Sequence, residues 1–133
     1  MTEDRSEPRR PLALVVDDAT TVRMYHRGLI EEAGWDVIEA ENGMEALERV
    51  IGQPVEVMFV DVNMPVMDGY RFIAAARSSE TLGQVPAVMI STEAQVLDSD
   101  KAFAAGANHY LVKPARPGDL RALLALLAPE VPA

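Results

Sequence analysis

The 133-residue sequence contains no cysteine, which excludes disulfide bonds, thiolate metal sites and thiol catalysis. It has two histidines, too few to favour a zinc or non-haem iron site. It has 12 basic and 21 acidic residues, and the formal net charge of −9 argues against nonspecific nucleic-acid binding. No apolar run approaches the roughly 18 residues that a membrane span needs. The charged, proline-containing start lacks the apolar segment of a signal peptide. We therefore expect a cytoplasmic protein that does not enter a membrane.

The hydrophobic content of 49% is enough to build one core. Five short, mainly apolar segments of the sequence predict buried strands. The predicted strands cover residues 12–16, 35–40, 57–60, 87–90 and 109–112. Helical spacing between and after them predicts helices near residues 20–33, after Asn42-Gly43, near 70–78 and 94–105, and through Leu120, Leu123, Leu124 and Leu127. Alternation of this kind requires right-handed crossovers. The prediction is an α/β domain with a five-stranded parallel sheet, doubly wound (flavodoxin-like), and five helices on two faces. We expect it to span residues 11–128, between a disordered tail at 1–10 and a short tail at 129–133.

The first helix carries several local predictions. Either Thr20 or Thr21 is expected to cap it. Its buried face is expected to carry the apolar residues at helical spacing, Val22, Tyr25, Leu29 and Ala33. We expect both histidines, His26 and His109, to be exposed or half-buried and to have no chemical role. Trp35, at the start of the second strand, is expected to serve packing.

Polar residues follow four of the predicted strands. Asp17 and Asp18 end the first, Asp61 the third, Ser91 the fourth and Lys113 the fifth. Because the carboxyl ends of parallel strands share one edge of a sheet, these side chains can meet in one pocket. Three carboxylates there would repel each other, and a hard divalent cation, Mg²⁺ or Mn²⁺, with oxygen ligands would offset the repulsion.

A metal, an ammonium group and a hydroxyl around one carboxylate suit phosphoryl transfer, in which positioned cations stabilise the charge on the transferring group. Asp61 would be the nucleophile and form an acyl phosphate. Taken singly, these residues have simpler explanations. The Asp17-Asp18 pair also suits the start of a helix, Ser91 a helix cap, and Lys113 a solvated surface position.

Four segments identify a family resemblance. They are Val-Asp-Asp at 16–18, Val-Asp-Val-Asn-Met-Pro-Val-Met-Asp-Gly at 60–69, Ile-Ser-Thr-Glu-Ala at 90–94 and Ala-Gly-Ala-Asn-His-Tyr-Leu-Val-Lys-Pro at 105–114. In this order they resemble the receiver domain of two-component response regulators, with the closest likeness to the stand-alone chemotaxis type. The resemblance covers residues 12–127.

The resemblance implies a role for each matching residue. Asp61 would accept a phosphoryl group from the phosphohistidine of a sensor histidine kinase. Asp18 and Asp61 would ligate Mg²⁺ by their carboxylates, Asn63 by its backbone carbonyl, and Asp17 through a water. Lys113 would contact the phosphoryl oxygens.

The same resemblance predicts the response to phosphorylation. Ser91 would donate a hydrogen bond to the phosphoryl group, and Tyr110 would swing inward; a packed core aromatic is the alternative for Tyr110.

The pair Asn63 and Glu93 flanks the route of the attacking water and predicts a short-lived phosphoryl state. Many relatives carry an aromatic residue where this chain has Ala115, which affects the shape of the output surface.

These features predict a single-domain response regulator that binds a protein target when phosphorylated, in chemotaxis or motility. The target would be a flagellar motor switch, a phosphatase or an adaptor, because no output domain is expected after Leu127. A phosphate sink, or an adaptor in another two-component pathway, is the alternative. A haloacid-dehalogenase-like phosphatase is less favoured, since it needs an aspartate at the position of Asn63. We expect autodephosphorylation but no conventional enzyme activity.

Overall fold

The structure of the chain, a computed structural model, describes residues 10–91 and 99–128. Strands and helices alternate along these residues. The elements are β1 (Leu12–Val16), α1 (Thr20–Glu32), β2 (Asp36–Ala40), α2 (Gly43–Arg49), β3 (Val55–Asp61), α3 (Gly69–Arg77), β4 (Ala87–Ser91), α4 (Ser99–Ala105), β5 (His109–Val112) and α5 (Pro117–Leu127). The start expected for the fourth helix, near residue 94, lies outside the described residues.

The five strands form one parallel sheet in the order β2-β1-β3-β4-β5. Helices α1 and α5 contact each other, and α3 contacts both α2 and α4. The apolar side chains accordingly divide into two cores. One contains Leu14, Met58 and Phe72, and the other contains Phe59 and Leu124. The predicted doubly wound fold is confirmed, and the carboxyl ends of all five strands lie along one edge.

Helix α1 differs from its prediction in both its cap and its buried face. Ala19 is the N-cap residue, and Thr20 is already helical, so the prediction of a threonine cap is wrong. The Oδ1 atom of Asp17 instead accepts a hydrogen bond of 2.9 Å from the backbone N–H of Ala19. The buried residues of α1 are Arg23, His26 and Ile30. An apolar pattern assigns arginine and histidine to solvent, which is why the predicted face was wrong.

The other boundaries follow local signals in the sequence. The side chains of Asn42 and Asp68 cap α2 and α3 by accepting bonds from the backbone N–H groups of Glu45 and Arg71. Trp35 lies just before β2 and is 2% exposed in the core, as its packing role requires. In the parts of the chain that the structure describes, no helix has the length and apolar character needed to cross a membrane.

Candidate functional site

Three carboxylates and one ammonium group meet at the carboxyl edge of the sheet. Asp17, Asp18 and Asp61 each offer an oxygen within 4.8 Å of the others. The Nζ atom of Lys113 lies 2.8 Å from Asp17 Oδ2 and 3.0 Å from Asp61 Oδ1. The side chains of Asp17 and Asp61 are each 3% exposed, and that of Lys113 is 9% exposed. Lys113 is therefore a partner in a buried charge cluster, and the alternative of a solvated surface lysine is wrong.

The backbone around Asp17 is held on two sides. Its N–H donates to the carbonyl oxygen of Ala40 at the end of β2, at 3.0 Å. Its own carbonyl oxygen accepts a 2.7 Å bond from Nη1 of Arg23, which is 8% exposed. Arg23 Nε also pairs with Glu39 at 3.0 Å. The first turn of α1 and the end of β2 thus fix the position of Asp17 together.

Arg23 was not among the predicted site residues. The sequence held one weak signal for it, a basic residue on α1 together with an acidic residue near the end of β2. Glu39 pairs with both Arg23 and Arg27. Burial alone would raise the pKa of Glu39, but the hydrogen bonds from these two arginines outweigh it and lower the pKa.

The backbone around Asp61 is fixed by a close approach of Gly69. The N–H of Gly69 donates to the carbonyl oxygen of Val62 at 2.8 Å. A Cβ atom added to Gly69 would lie 2.3 Å from the carbonyl oxygen of Asp61. Only glycine fits against the strand at this point. The Asp68-Gly69 pair therefore both begins α3 and allows the loop to return beside Asp61.

Burial dominates the electrostatics of the cluster. It raises the pKa of Asp61 from 3.8 to about 6, with Asp17 and Asp18 adding to the rise and Lys113 opposing it. Burial alone would lower the pKa of Lys113, but its contacts with Asp17 and Asp61 outweigh this and raise the pKa. Lys113 is thus firmly protonated, and one ammonium group faces three carboxylates, so the cluster favours an additional cation.

The donor set fits a hard divalent cation. All three side chains offer carboxylate oxygens, the ligands that Mg²⁺ and Mn²⁺ prefer. Among the described residues, Oδ1 of Asp61 is buried and accepts no well-formed hydrogen bond, although it contacts Lys113. This oxygen therefore has capacity left for a metal or for a new bond.

The remaining predicted site residues differ in their surroundings. Ser91 is 3% exposed and ends β4, one position past Ile90, the residue that pairs with Asp61 in the sheet. Asn63 is exposed in the loop after β3. Tyr110 is 50% exposed on β5, so the alternative of a core aromatic is wrong. Glu93 lies outside the described residues.

His26 is 1% exposed, which contradicts the expectation of an exposed or half-buried residue. Its Nε2 atom accepts a hydrogen bond of 3.2 Å from the backbone N–H of Ala115, two residues after Lys113. His109, in contrast, is exposed, as expected. The error for His26 arose because a histidine on a helix gives no sequence signal of a buried partner 89 residues away.

Comparison with known proteins agrees with this geometry. The sequence model of the response regulator receiver domain matches residues 13–125. Chemotaxis protein CheY1 of Helicobacter pylori is 37% identical over 110 residues, which cover 81% of this chain and 89% of that protein. Protein PilG of Pseudomonas aeruginosa is 33% identical over 101 residues, covering 76% of this chain and 75% of that protein.

Solved structures give the same result. Chemotaxis response regulator CheY4 of Vibrio cholerae superimposes with a TM-score of 0.81 at 33% identity, over 90% of this chain and 99% of that chain. A response regulator from Chloroflexus aurantiacus superimposes with a TM-score of 0.82 at 30% identity, over 91% of this chain and 100% of that chain. The family match over most of the sequence and the identities above 30% show that this chain belongs to the response regulator receiver domain family.

Proposed function

We propose that this receiver domain accepts a phosphoryl group on Asp61 from the phosphohistidine of a sensor histidine kinase and then signals by binding a protein. The observation that carries the proposal is the buried contact of Lys113 with both Asp17 and Asp61 at the sheet edge. A lone strand-end aspartate would be weak evidence, but a carboxylate with a fixed ammonium group and two further carboxylates can support phosphoryl transfer. The receiver family consists of signalling proteins and not of conventional enzymes.

Asp61 is the nucleophile of the proposed reaction. With a pKa of about 6, its carboxylate is largely ionised at neutral pH. One of its oxygens forms the new bond to phosphorus as the bond from phosphorus to the kinase histidine breaks, which gives an acyl phosphate. Lys113 Nζ, already beside Asp61, neutralises charge on the transferred oxygens.

The proposal assigns four residues to Mg²⁺, or to Mn²⁺ in its place. Asp18 and Asp61 would hold it by their carboxylates, Asn63 by its backbone carbonyl and Asp17 through a water. When bound, the ion supplies Lewis-acid stabilisation of the negative charge on the phosphoryl group. The three-carboxylate cluster and the unfilled capacity of Asp61 Oδ1 support the assignment.

Phosphorylation adds acceptor oxygens beside buried donors, and this drives the proposed switch. Ser91 would donate its hydroxyl to the phosphoryl group, and Tyr110 would turn inward from its half-exposed position. Tyr110 lines two adjoining grooves, of about 540 and 300 Å³, formed by β5, the loop after it and α5. A change in Tyr110 would therefore reshape the surface that a protein partner meets.

The relatives support a role in chemotaxis or motility, and we propose that the protein acts in the cytoplasm. The names of CheY1 and CheY4 state a chemotaxis function for those proteins. For this chain we propose a flagellar motor switch, a phosphatase or an adaptor as the target.

Asn63 and Glu93 would give a short phosphoryl lifetime through autodephosphorylation. A phosphate sink remains the alternative, and it predicts a protein that drains the kinase and binds no target when phosphorylated.

The test is phosphorylation of the purified protein by acetyl phosphate, followed by intact-mass spectrometry. We expect one phosphate per chain, formed only with Mg²⁺ or Mn²⁺ present. The variant Asp61→Asn should gain none. Asp68→Asn is the matched control, because asparagine also caps a helix well and the variant should be phosphorylated normally. An adduct of equal yield in Asp61→Asn would exclude Asp61 as the acceptor.

A further inference from the structure

Two side chains of α1 hold the loop between β5 and α5 on both sides of one residue. The backbone N–H of Ala115 donates to Nε2 of His26 at 3.2 Å. The carbonyl oxygen of Ala115 accepts a bond of 2.9 Å from the hydroxyl of Tyr25. The two rings also contact each other edge-on, with centroids 5.4 Å apart. Both polar groups of one loop residue are thus bonded to neighbouring residues of a single helix.

The held residue lies two positions after Lys113. The backbone N–H of Lys113 donates to the carbonyl oxygen of Ser91 at 2.7 Å, which ties it to β4. Pro114 has no N–H to donate. The next backbone donor after Lys113 is therefore the N–H of Ala115, and its acceptor is His26. The segment that carries Lys113 is fixed by β4 before the proline and by α1 after it.

The same helix also follows Asp17, the second partner of Lys113. Asp17 begins the turn into α1 through its bond to the N–H of Ala19. Helix α1 thus connects to the Lys113–Asp17 ion pair from the aspartate side through its first turn, and from the lysine side through His26. A shift of the loop away from α1 would change the distance from Nζ to both carboxylates.

We propose that His26 and Tyr25 are positioning residues that hold Lys113 Nζ at the phosphoacceptor through Ala115. The assignment rests on the proposed function of Asp61 and Lys113. His26 suits this role because burial lowers its pKa, so the neutral ring keeps Nε2 free to accept. The ring proton then sits on Nδ1, which has no hydrogen-bond partner among the described residues. A buried donor without a partner is costly, so packing alone would favour an apolar side chain here.

The test compares phosphorylation rates with acetyl phosphate at saturating Mg²⁺ in variants of the full chain. His26→Leu removes the acceptor and should slow phosphorylation about tenfold through misplacement of Lys113. His26→Gln keeps an acceptor near the position of Nε2 and should restore most of the rate. Tyr25→Phe removes one hydroxyl from a residue that is 40% exposed, so it should fold and lose less. Met24→Leu, at a 62% exposed position, is the control on the same helix and should be unaffected.

Two further readouts separate positioning from general damage. The Mg²⁺ affinity of His26→Leu, measured without a phosphodonor, should not fall below that of the starting protein, because Lys113 is not a proposed ligand and its displacement removes a positive charge from beside the carboxylates. Without metal, hydrogen exchange of the Ala115 amide should become faster in His26→Leu and slow again in His26→Gln.

The deciding experiment is the double variant with Lys113→Ala. If His26 acts through Lys113, His26→Leu should cause no further loss once Lys113 is alanine. An unchanged rate in His26→Leu, an equal fold-loss in both backgrounds, or a failure of glutamine to restore the rate would each overturn the proposal. Failure of the unaltered protein to become phosphorylated would instead refute the proposed function, while faster exchange at Ala115 would still report the contact.

Discussion

The buried charge of Asp61 should make the unfolding free energy of this protein depend on pH in a way that one substitution removes. Burial raises the pKa of Asp61 from 3.8 to about 6 in the folded protein. Between these values the folded protein holds a proton that the unfolded chain has lost. Stability from this group is therefore fully present below about pH 4 and is lost as the pH rises to about 6.

The size of the effect follows from the pKa difference. One pH unit of difference corresponds to about 1.4 kcal/mol, so the rise from 3.8 to about 6 corresponds to a loss of about 3 kcal/mol at neutral pH. The side chain is 3% exposed, so solvent screens this energy little. Asp61→Asn removes the charge and keeps the shape. The variant should be more stable than the unaltered protein by about 3 kcal/mol near pH 7, and the two should be nearly equal near pH 4.

The assay is urea unfolding without divalent metal at about pH 4, 5, 6 and 7, followed by the fluorescence of the buried Trp35. The difference between the two proteins cancels the titration of acidic groups that lie outside the Asp61 cluster. Glu48→Gln, at an exposed position in α2, is the control and should change stability by less than about 0.5 kcal/mol throughout. A constant difference between Asp61→Asn and the unaltered protein across this range would refute the claim that burial disfavours the charged carboxylate.

The remaining predictions concern the loop after β3 and the metal. Gly69→Ala should lower the unfolding free energy by about 3 kcal/mol, because its Cβ would lie 2.3 Å from the carbonyl oxygen of Asp61; an unchanged urea midpoint would contradict the close approach. Val66 has a φ angle of 72° and is 83% exposed, so Val66→Asn should raise the unfolding free energy by about 1 kcal/mol, which thermal unfolding would detect; a loss of stability would mean that the strain is absent. Mg²⁺ at 100 times its dissociation constant should stabilise the unaltered protein by about 2.7 kcal/mol. At that Mg²⁺ concentration Asp18→Ala should gain less than about 1 kcal/mol, and equal stabilisation of both proteins would remove Asp18 from the metal site.

Much of the fold could be predicted because its signals are local. The strands β1, β3 and β4 are largely apolar, and polar residues end or follow them. Asp17, which follows β1, and Asp61, which ends β3, were found from this pattern, because parallel strands bring their carboxyl ends to one edge. Lys113 follows β5 in the same way, but its assignment to the site depended on the family motif; its contacts with both aspartates show that it joins them.

The errors lie where a polar residue is buried by a partner distant in sequence. Arg23 and His26 occupy the buried face of α1, one bonded to the carbonyl of Asp17 and the other to the amide of Ala115. Hydrophobic periodicity assigns such residues to solvent, since it contains no information on hydrogen-bond partners in other elements. The error at the start of α1 has a local cause, because the N-cap residue is Ala19 and no side chain caps the helix.

The most direct test of the central claim is to identify the phosphorylated atom. The protein is treated with acetyl phosphate and Mg²⁺ and then with borohydride, which reduces an aspartyl phosphate to homoserine, and its peptides are sequenced by mass spectrometry. We expect homoserine at position 61 alone, formed only when acetyl phosphate, Mg²⁺ and borohydride are all supplied. Homoserine at position 17 or 18, or a phosphate that resists borohydride and stays on Ser91, would contradict it.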